Sequence, residues 1–245
     1  MERDFILLLD TSTDVSSVAL CSADGETIVA ERLYKAAQKH ADQLAPLVEQ
    51  MLTEMPEGGR LVAVGVAEGP GSYTGLRIGA SYAKGLCFAL DVPMVSISTP
   101  EVMVYTFLTS NEVEPEALLM PMIDARRMEV YSALYDAKSE PITDIEALIL
   151  TEEMTQKSLQ GEVGSRPLYY FGSGAEKAEE LFSELLPSAT LVKGIEPKAS
   201  AMARRAVGLL EEGKTNDVAY WEPFYLKEYQ AKKSQNKVLR SLLRR

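Results

Sequence analysis

Apolar and polar positions along the 245-residue chain fall into short runs and periodic stretches. Residues 5–9 form an apolar run that stops at Asp10, and 15–21 alternate in part; both predict strands. Asp24-Gly25 is a hairpin signal, and residues 27–34 return as the third strand of an antiparallel meander. Leu44, Leu47, Val48, Met51, Leu52 and Met55 recur at three- and four-residue spacing, which predicts a helix over about 39–55, stopped by Pro56 and Gly58-Gly59. Residues 61–67 are an almost unbroken apolar run, as in a parallel strand covered on both faces. Gly69-Pro70-Gly71 turns the chain into a helix over about 74–90, followed by a strand at 94–98 and a helix from near Pro100.

The second half repeats this logic more loosely. Strands are predicted at 118–124 and 129–136 around a tight turn, Ala125-Arg126-Arg127, with further strands at 145–150, 168–171 and 189–192. Gly172-Ser173-Gly174 opens a helix to about 186, and a last helix spans 197–212 with Gly213 as its stop. A meander followed by βα units, occurring twice, predicts an α/β protein of two related lobes. The expected division is a first lobe at 1–108, with helix 197–212 packing back on it, a second lobe at 109–196, and a C-terminal extension at 213–245.

Composition adds exclusions. No stretch approaches the roughly 20 apolar residues of a membrane span, and the first apolar run is too short for a signal peptide. A soluble, cytoplasmic protein with no membrane partner is therefore expected. Cys21 and Cys87 are isolated, so neither a disulfide framework nor a zinc site is indicated. The net charge is −11, which repels nucleic acid unless positive charge is concentrated somewhere. From Leu226 onward seven basic residues face one acid, leaving −17 on the rest of the chain. That basic tail reads either as a solvated terminus or as an RNA or acidic-partner contact.

Four segments are candidates for chemistry. Asp10-Thr11-Ser12-Thr13 follows the first strand, where actin-like ATPases carry a phosphate-facing hairpin whose Asp holds Mg²⁺; a polar strand-to-turn junction explains it equally. Met122-Ile123-Asp124-Ala125-Arg126-Arg127 occupies the corresponding place in the second lobe. Gly172 and Gly174 stand at a strand-to-helix turn where a backbone can approach an anion, or where only turn geometry needs them. The most specific segment is Gly69-Pro70-Gly71-Ser72-Tyr73-Thr74-Gly75-Leu76-Arg77-Ile78-Gly79. It lacks the G-K-[ST] ending of a P-loop. Gly75, Gly79 and Ala83 recur every fourth residue, a small-residue stripe against which another helix can pack closely. A lone histidine, His40, excludes two-histidine metal sites and H-E-x-x-H peptidase chemistry.

The block G-P-G-S-Y-T-G-L-R-I-G, together with D-T-S-T near the N-terminus, closely resembles the TsaB (YeaZ) family, over most of the chain except its last 30 or so residues. The resemblance implies an actin-like, ribonuclease H-like (ASKHA) two-lobed fold. It implies a non-catalytic partner of a TsaD-like subunit, acting with a TsaE-like ATPase in threonylcarbamoyladenosine modification of tRNA, and a homodimer when alone. In TsaD a His-x-x-x-His motif holds a metal; the matching positions here are Thr99 and Met103, neither a credible ligand. No cofactor is therefore expected on this chain, ATP and metal belonging to TsaD and TsaE. The implied partner interface comprises His40, Leu44, Leu47, Met51, Gly75, Arg77, Gly79 and Ala83, so Gly79→Leu is expected to break the complex and spare the fold. Asp10, Thr11, Ser12, Asp124, Gly172 and Gly174 become candidate vestigial nucleotide contacts. The rival expectation is a kinase or hydrolase of the same fold, using Asp10 and Asp124 around Mg-ATP.

Overall fold

The computed structural model describes residues 4–35 and 40–227. The first sheet is built from β1 (Asp4–Asp10), β2 (Val15–Ser22) and β3 (Ile28–Lys35), then, after helix α1 (His40–Thr53), β4 (Arg60–Gly69), helix α2 (Tyr73–Leu90) and β5 (Met94–Ser98). Its order is β3-β2-β1-β4-β5, with β1, β4 and β5 parallel and the meander antiparallel. Helix α3 (Thr99–Leu108) leads to β6 (Leu118–Asp124), β7 (Glu129–Ser132), β8 (Tyr135–Asp136) and β9 (Glu146–Ile149). Short helices α4 (Glu152–Met154) and α5 (Gln160–Val163) precede β10 (Leu168–Phe171), α6 (Glu179–Leu185), β11 (Ala189–Val192) and α7 (Ala203–Glu211).

The second sheet runs β11-β10-β6-β7-β9, with β8 pairing beside β7 on β6. Read from the other edge, meander then parallel strands, it repeats the first: β6 takes the place of β1, and β10 and β11 those of β4 and β5. This is the two-lobed α/β architecture the sequence pattern predicts, with the strand order that the family resemblance implies. It puts Asp10 and Asp124 at equivalent strand ends.

Each face of the first sheet is buried, which is why 61–67 is apolar throughout. One face packs Leu7, Leu9, Val64 and Val66 against Leu44, Val48 and Met51 of α1 and Ala83 and Cys87 of α2. The other packs Ile6, Leu8, Ala63 and Val95 against α3 and against Met202, Ala203, Ala206 and Leu209 around α7. Ser72 caps α2 by accepting from the Gly75 N–H, and Ser98 caps α3 by accepting from the Glu101 N–H, each at 3.3 Å.

Several elements differ from expectation. The strand expected over 129–136 is two, β7 and β8, because Ala133 and Leu134 turn into the core between the two pairings with β6. The helices expected at 174–186 and 197–212 each begin as a 3-10 turn, Ala175–Ala178 and Ala199–Met202. A helical segment at 152–163 was not expected at all. Its middle, Thr155–Leu159, is a π-turn, so Met154, Leu159 and Val163 reach the core at spacings of five and four rather than the three and four of an α-helix.

Candidate functional site

The G-P-G-S-Y-T-G block and the D-T-S-T loop form one joint. Ser12 carbonyl accepts from the Ser72 N–H at 2.7 Å, and Thr11 Oγ1 donates to the Gly75 carbonyl at 2.7 Å. The glycines make this approach necessary and sufficient. A Cβ at Gly71 would lie 2.2 Å from Ser12 O, at Gly75 2.0 Å from Thr11 O, and at Gly79 2.3 Å from Thr11 Oγ1. The small-residue stripe thus faces inward. Gly75 and Gly79 carry the β1–β2 loop, and Ala83 lies fully inside the first core. This corrects the expectation that Gly75, Gly79 and Ala83 are a surface for another protein. Leu44 and Met51 are likewise core, and Leu47 packs against it half-buried. Arg77 alone of the expected α2 interface residues is exposed. The side chain of His40 lies outside the described residues.

The joint leaves no opening to Asp10. Its side chain is wholly buried; Oδ1 accepts from the Ser12 N–H at 2.9 Å and from the Ser12 hydroxyl at 2.8 Å. Oδ2 is buried without a hydrogen-bond partner among the described residues. Burial dominates, and it pushes the Asp10 carboxyl up to about 6 despite the two Ser12 bonds. A residue placed to hold Mg²⁺ needs a charged carboxylate facing a hydrated space. Here the carboxylate is wholly buried.

The second cradle is also occupied. Asp124 is exposed; its Oδ1 binds Lys177 Nζ at 2.5 Å and accepts from the Arg126 N–H at 2.5 Å. A Cβ at Gly172 would meet Met103 Cε at 2.2 Å, and one at Gly174 would meet Val130 Cγ1 at 2.7 Å. These glycines serve close packing between elements. One cavity of about 470 Å³ is lined by Val15, residues 33–35, Thr106, Ser110, residues 194–196 and Lys198, and another of about 620 Å³ by side chains of α2 between Tyr73 and Tyr82; neither lining includes Asp10, Thr11, Ser12, Asp124, Gly172 or Gly174. Asp10 is thus buried and Asp124 is paired with Lys177, so neither offers a free, open carboxylate to a hydrated Mg²⁺.

The metal positions fail the same test. Thr99 is fully buried at the start of α3, and Met103 is buried among Phe107, Ile123 and Phe171. Among the described residues no group of three His, Cys, Asp or Glu could hold a metal ion. Cys21 and Cys87 are buried and their thiols are pushed up by desolvation, to about 12 and about 11, so neither is a thiolate at neutral pH.

What the first lobe does present is the outer face of α2. Tyr73, Thr74, Arg77, Ile78, Ser81 and Tyr82 line a shallow depression of about 620 Å³, and Phe88, nearly two turns beyond it on the same helix, is 85% exposed. Arg77 sits over the Tyr73 ring at 5.6 Å. Of these only Arg77 was expected at an interface from the sequence; Phe88 follows Cys87, where the buried stripe continues, and so falls off the core period. A strap at 214–227 braces the helix and its sheet. Asn216 N–H donates to Met94 O at 2.8 Å, Lys84 Nζ donates to the Trp221 carbonyl at 2.9 Å, and Phe224 N–H donates to Glu68 O at 2.8 Å. Tyr225 then stacks obliquely on Tyr73 at 5.0 Å. Most of the basic tail, from 228 onward, lies outside the described residues. Among the described residues no helix is long and apolar enough to cross a membrane.

Comparison with known proteins gives a consistent result. The family model of TsaD, tRNA N6-adenosine threonylcarbamoyltransferase, matches residues 34–228. The chain is 32% identical over 231 residues to the tRNA threonylcarbamoyladenosine biosynthesis protein TsaB of Escherichia coli (strain K12), covering 91% of this chain and 94% of that one. It is 30% identical over 187 residues to TsaB of Bacillus subtilis (strain 168), covering 74% and 76%. Among solved structures, a Pseudomonas aeruginosa protein described as similar to peptidase YeaZ superposes with a TM-score of 0.73 at 25% identity, over 91% of this chain and 100% of that one.

Proposed function

The chain belongs to the TsaB (YeaZ) family of tRNA threonylcarbamoyladenosine biosynthesis proteins, and we propose that within that pathway it is a partner subunit with no catalysis of its own. The observation that carries the proposal is the joint between the glycine block and the β1–β2 loop. It uses the strand end at which a fold of this type would handle phosphate to lock α2 onto the sheet. A helix so fixed presents its outer face as a rigid platform, which suits docking, since a preorganised surface has less order to lose on association.

The partner is a TsaD-like transferase subunit, docking on the outer face of α2 around Tyr73, Arg77, Ile78, Tyr82 and Phe88, with a TsaE-like ATPase and tRNA joining the assembly. The same face pairs two copies when the chain is alone. ATP and metal are held by the other subunits, and the assembly works in the cytoplasm. Kinase or hydrolase chemistry around Asp10 and Asp124 is not favoured, because Asp10 faces no space and Asp124 is paired with Lys177.

The test is threonylcarbamoyl transfer to tRNA by TsaD, TsaE and a donor synthase with ATP, with and without this chain. Transfer that needs the chain, with none from the chain alone, supports the proposal. Transfer of equal rate without it sinks the proposal, as does ATP turnover by the isolated chain that Asp124→Asn abolishes.

A further inference from the structure

The tip of the β6–β7 hairpin breaks a local rule. Ala125 N–H bonds the Glu129 carbonyl at 3.1 Å, and between them the backbone passes through two successive left-handed residues, Arg126 (φ 71) and Arg127 (φ 52). Hairpin tips of this kind are ordinarily supplied by Gly, Asn or Asp, because a Cβ is strained at positive φ. Two arginines in sequence there are unfavourable for folding, and strain of this sort collects where a side chain is needed for something else.

The surroundings show what is left over. The two nearby carboxylates are engaged: Asp124 with Lys177, and Glu129 with Lys227, whose contact closes the strap onto the second lobe. Arg126 and Arg127 are exposed, and neither guanidinium has an ion-pair partner among the described residues. Burial raises the hydroxyl pKa of the half-buried Tyr131, opposed by Lys227 and Arg126 and reinforced by Glu129. On a chain of net charge −11, this is a local concentration of cations beside an aromatic ring.

We propose that the β6–β7 hairpin tip, Arg126 and Arg127 with Tyr131 and Lys227 beside them, is a contact surface for the phosphate backbone of RNA. The identity of the polyanion rests on the tRNA-pathway proposal above; the charge and the strain do not. Guanidiniums splayed from a rigid hairpin suit bidentate phosphate contacts, and such contacts are independent of sequence and steeply salt-dependent.

The test uses the full chain alone, with unmodified tRNA as the probe, in fluorescence anisotropy from about 50 to 200 mM salt, a range over which a few phosphate contacts change affinity by orders of magnitude. Arg126→Asn with Arg127→Gly removes both cations and relieves the strained backbone. Its expected result is a melting temperature equal to or above wild type, together with a log K against log salt slope shallower by about one unit per lost contact. Arg126→Lys with Arg127→Lys keeps most of the slope, and Arg60→Gln, which opens the Arg60–Asp4 pair on the first lobe, leaves it unchanged. Equal slopes for wild type and the Asn-Gly variant overturn the proposal, as does absence of tRNA binding by wild type at the lowest salt. Loss of TsaD co-elution in the Asn-Gly variant, with tRNA binding intact, would make the hairpin a protein contact instead and also overturn it. Requirement for the chain in threonylcarbamoyl transfer is a separate readout, so failure of the RNA surface is distinguishable from failure of the subunit role.

Discussion

Gly75→Ala sets two opposed effects against each other, and the structure says which wins. On an open helix surface the change favours folding by about 1 kcal/mol, because Ala is the better helix former. Here the new Cβ would lie 2.0 Å from the Thr11 carbonyl oxygen, about 1 Å inside the 3.0 Å that real Cβ atoms essentially never cross. The obstacle is backbone, held in register by the β1–β2 pairing, so it cannot rotate away. Helix α2 must retreat by about that ångström. Both bonds of the joint, Ser72 N–H to Ser12 O and Thr11 Oγ1 to Gly75 O, are 2.7 Å long and do not survive such a shift.

Losing two buried hydrogen bonds costs about 1 kcal/mol each, and overpacking adds about 1–3 kcal/mol. After the propensity gain of about 1 kcal/mol, the net destabilisation is about 2–4 kcal/mol. In a chain of this size that lowers the melting temperature by about 5–15 °C. Thermal unfolding followed by circular dichroism measures it, and amide exchange should locate the loss in α2 and the β1–β2 loop. Had the stripe been a docking surface, Gly75→Ala would leave stability unchanged or improved and abolish partner binding. A variant within about 0.5 kcal/mol of wild type that fails to co-elute with TsaD would refute the inward assignment. Gly79→Leu, expected from the sequence to spare the fold, should instead be the more damaging of the two, since its larger side chain meets the Thr11 side chain in the same joint.

Asp10→Asn should change the pH dependence of stability. The folded-state pKa of Asp10 is raised from 3.8 to about 6, so the native state binds the proton more tightly and stability falls as pH rises through that interval; replacing the carboxyl removes a pH-dependent loss of up to about 3 kcal/mol. Urea unfolding at pH 4 and pH 7.5 checks it, and identical pH dependence in the variant and wild type would show that Asp10 does not titrate this way. Phe88→Ser and Arg77→Ala should each leave stability within about 0.5 kcal/mol, both side chains being exposed, while weakening co-elution with TsaD; size-exclusion chromatography that finds both complexes intact moves the docking face elsewhere. Trp221→Ala should cost about 2 kcal/mol, less than a fully buried aromatic, and should release the strap to limited proteolysis after Lys214, so an unchanged digestion pattern would mean the strap is held without it.

Much of the fold was legible because the two periods were clean where burial was complete. The unbroken apolar run at 61–67 became β4, covered by α1 and α2 on one face and by α3 and α7 on the other. The repeat of the meander fixed Asp10 and Asp124 at equivalent strand ends. Legibility failed where the backbone left the two standard periods. The π-turn at Thr155–Leu159 spaces its core residues so that no helical template finds them, and 3-10 starts before α6 and α7 shorten helices that the pattern makes continuous. Strap 214–227 carries almost no periodic signal, because Asn216 and Phe224 engage α2 and its neighbours through backbone groups and Trp221 through its own carbonyl as well as its ring.

The site shows a different limit. Spacing identified Gly75, Gly79 and Ala83 as one face of a helix, correctly, and was silent on what the face meets. A small-residue stripe states only that something comes close. Whether that something is another protein or the chain's own Thr11 is decided by a contact 64 residues away in sequence. The same ambiguity attended Asp10. A carboxylate at a strand end is a metal ligand if it opens on water, and a buried, proton-hungry group if Gly71 and Gly75 allow a helix to close over it. The glycines that drew attention to the segment are those that let α2 close on Thr11 and Ser12, directly after Asp10. What stays exposed beside this closed joint is the outward side of α2 and, in the second lobe, a hairpin tip where two arginines hold a conformation that glycine would hold more easily.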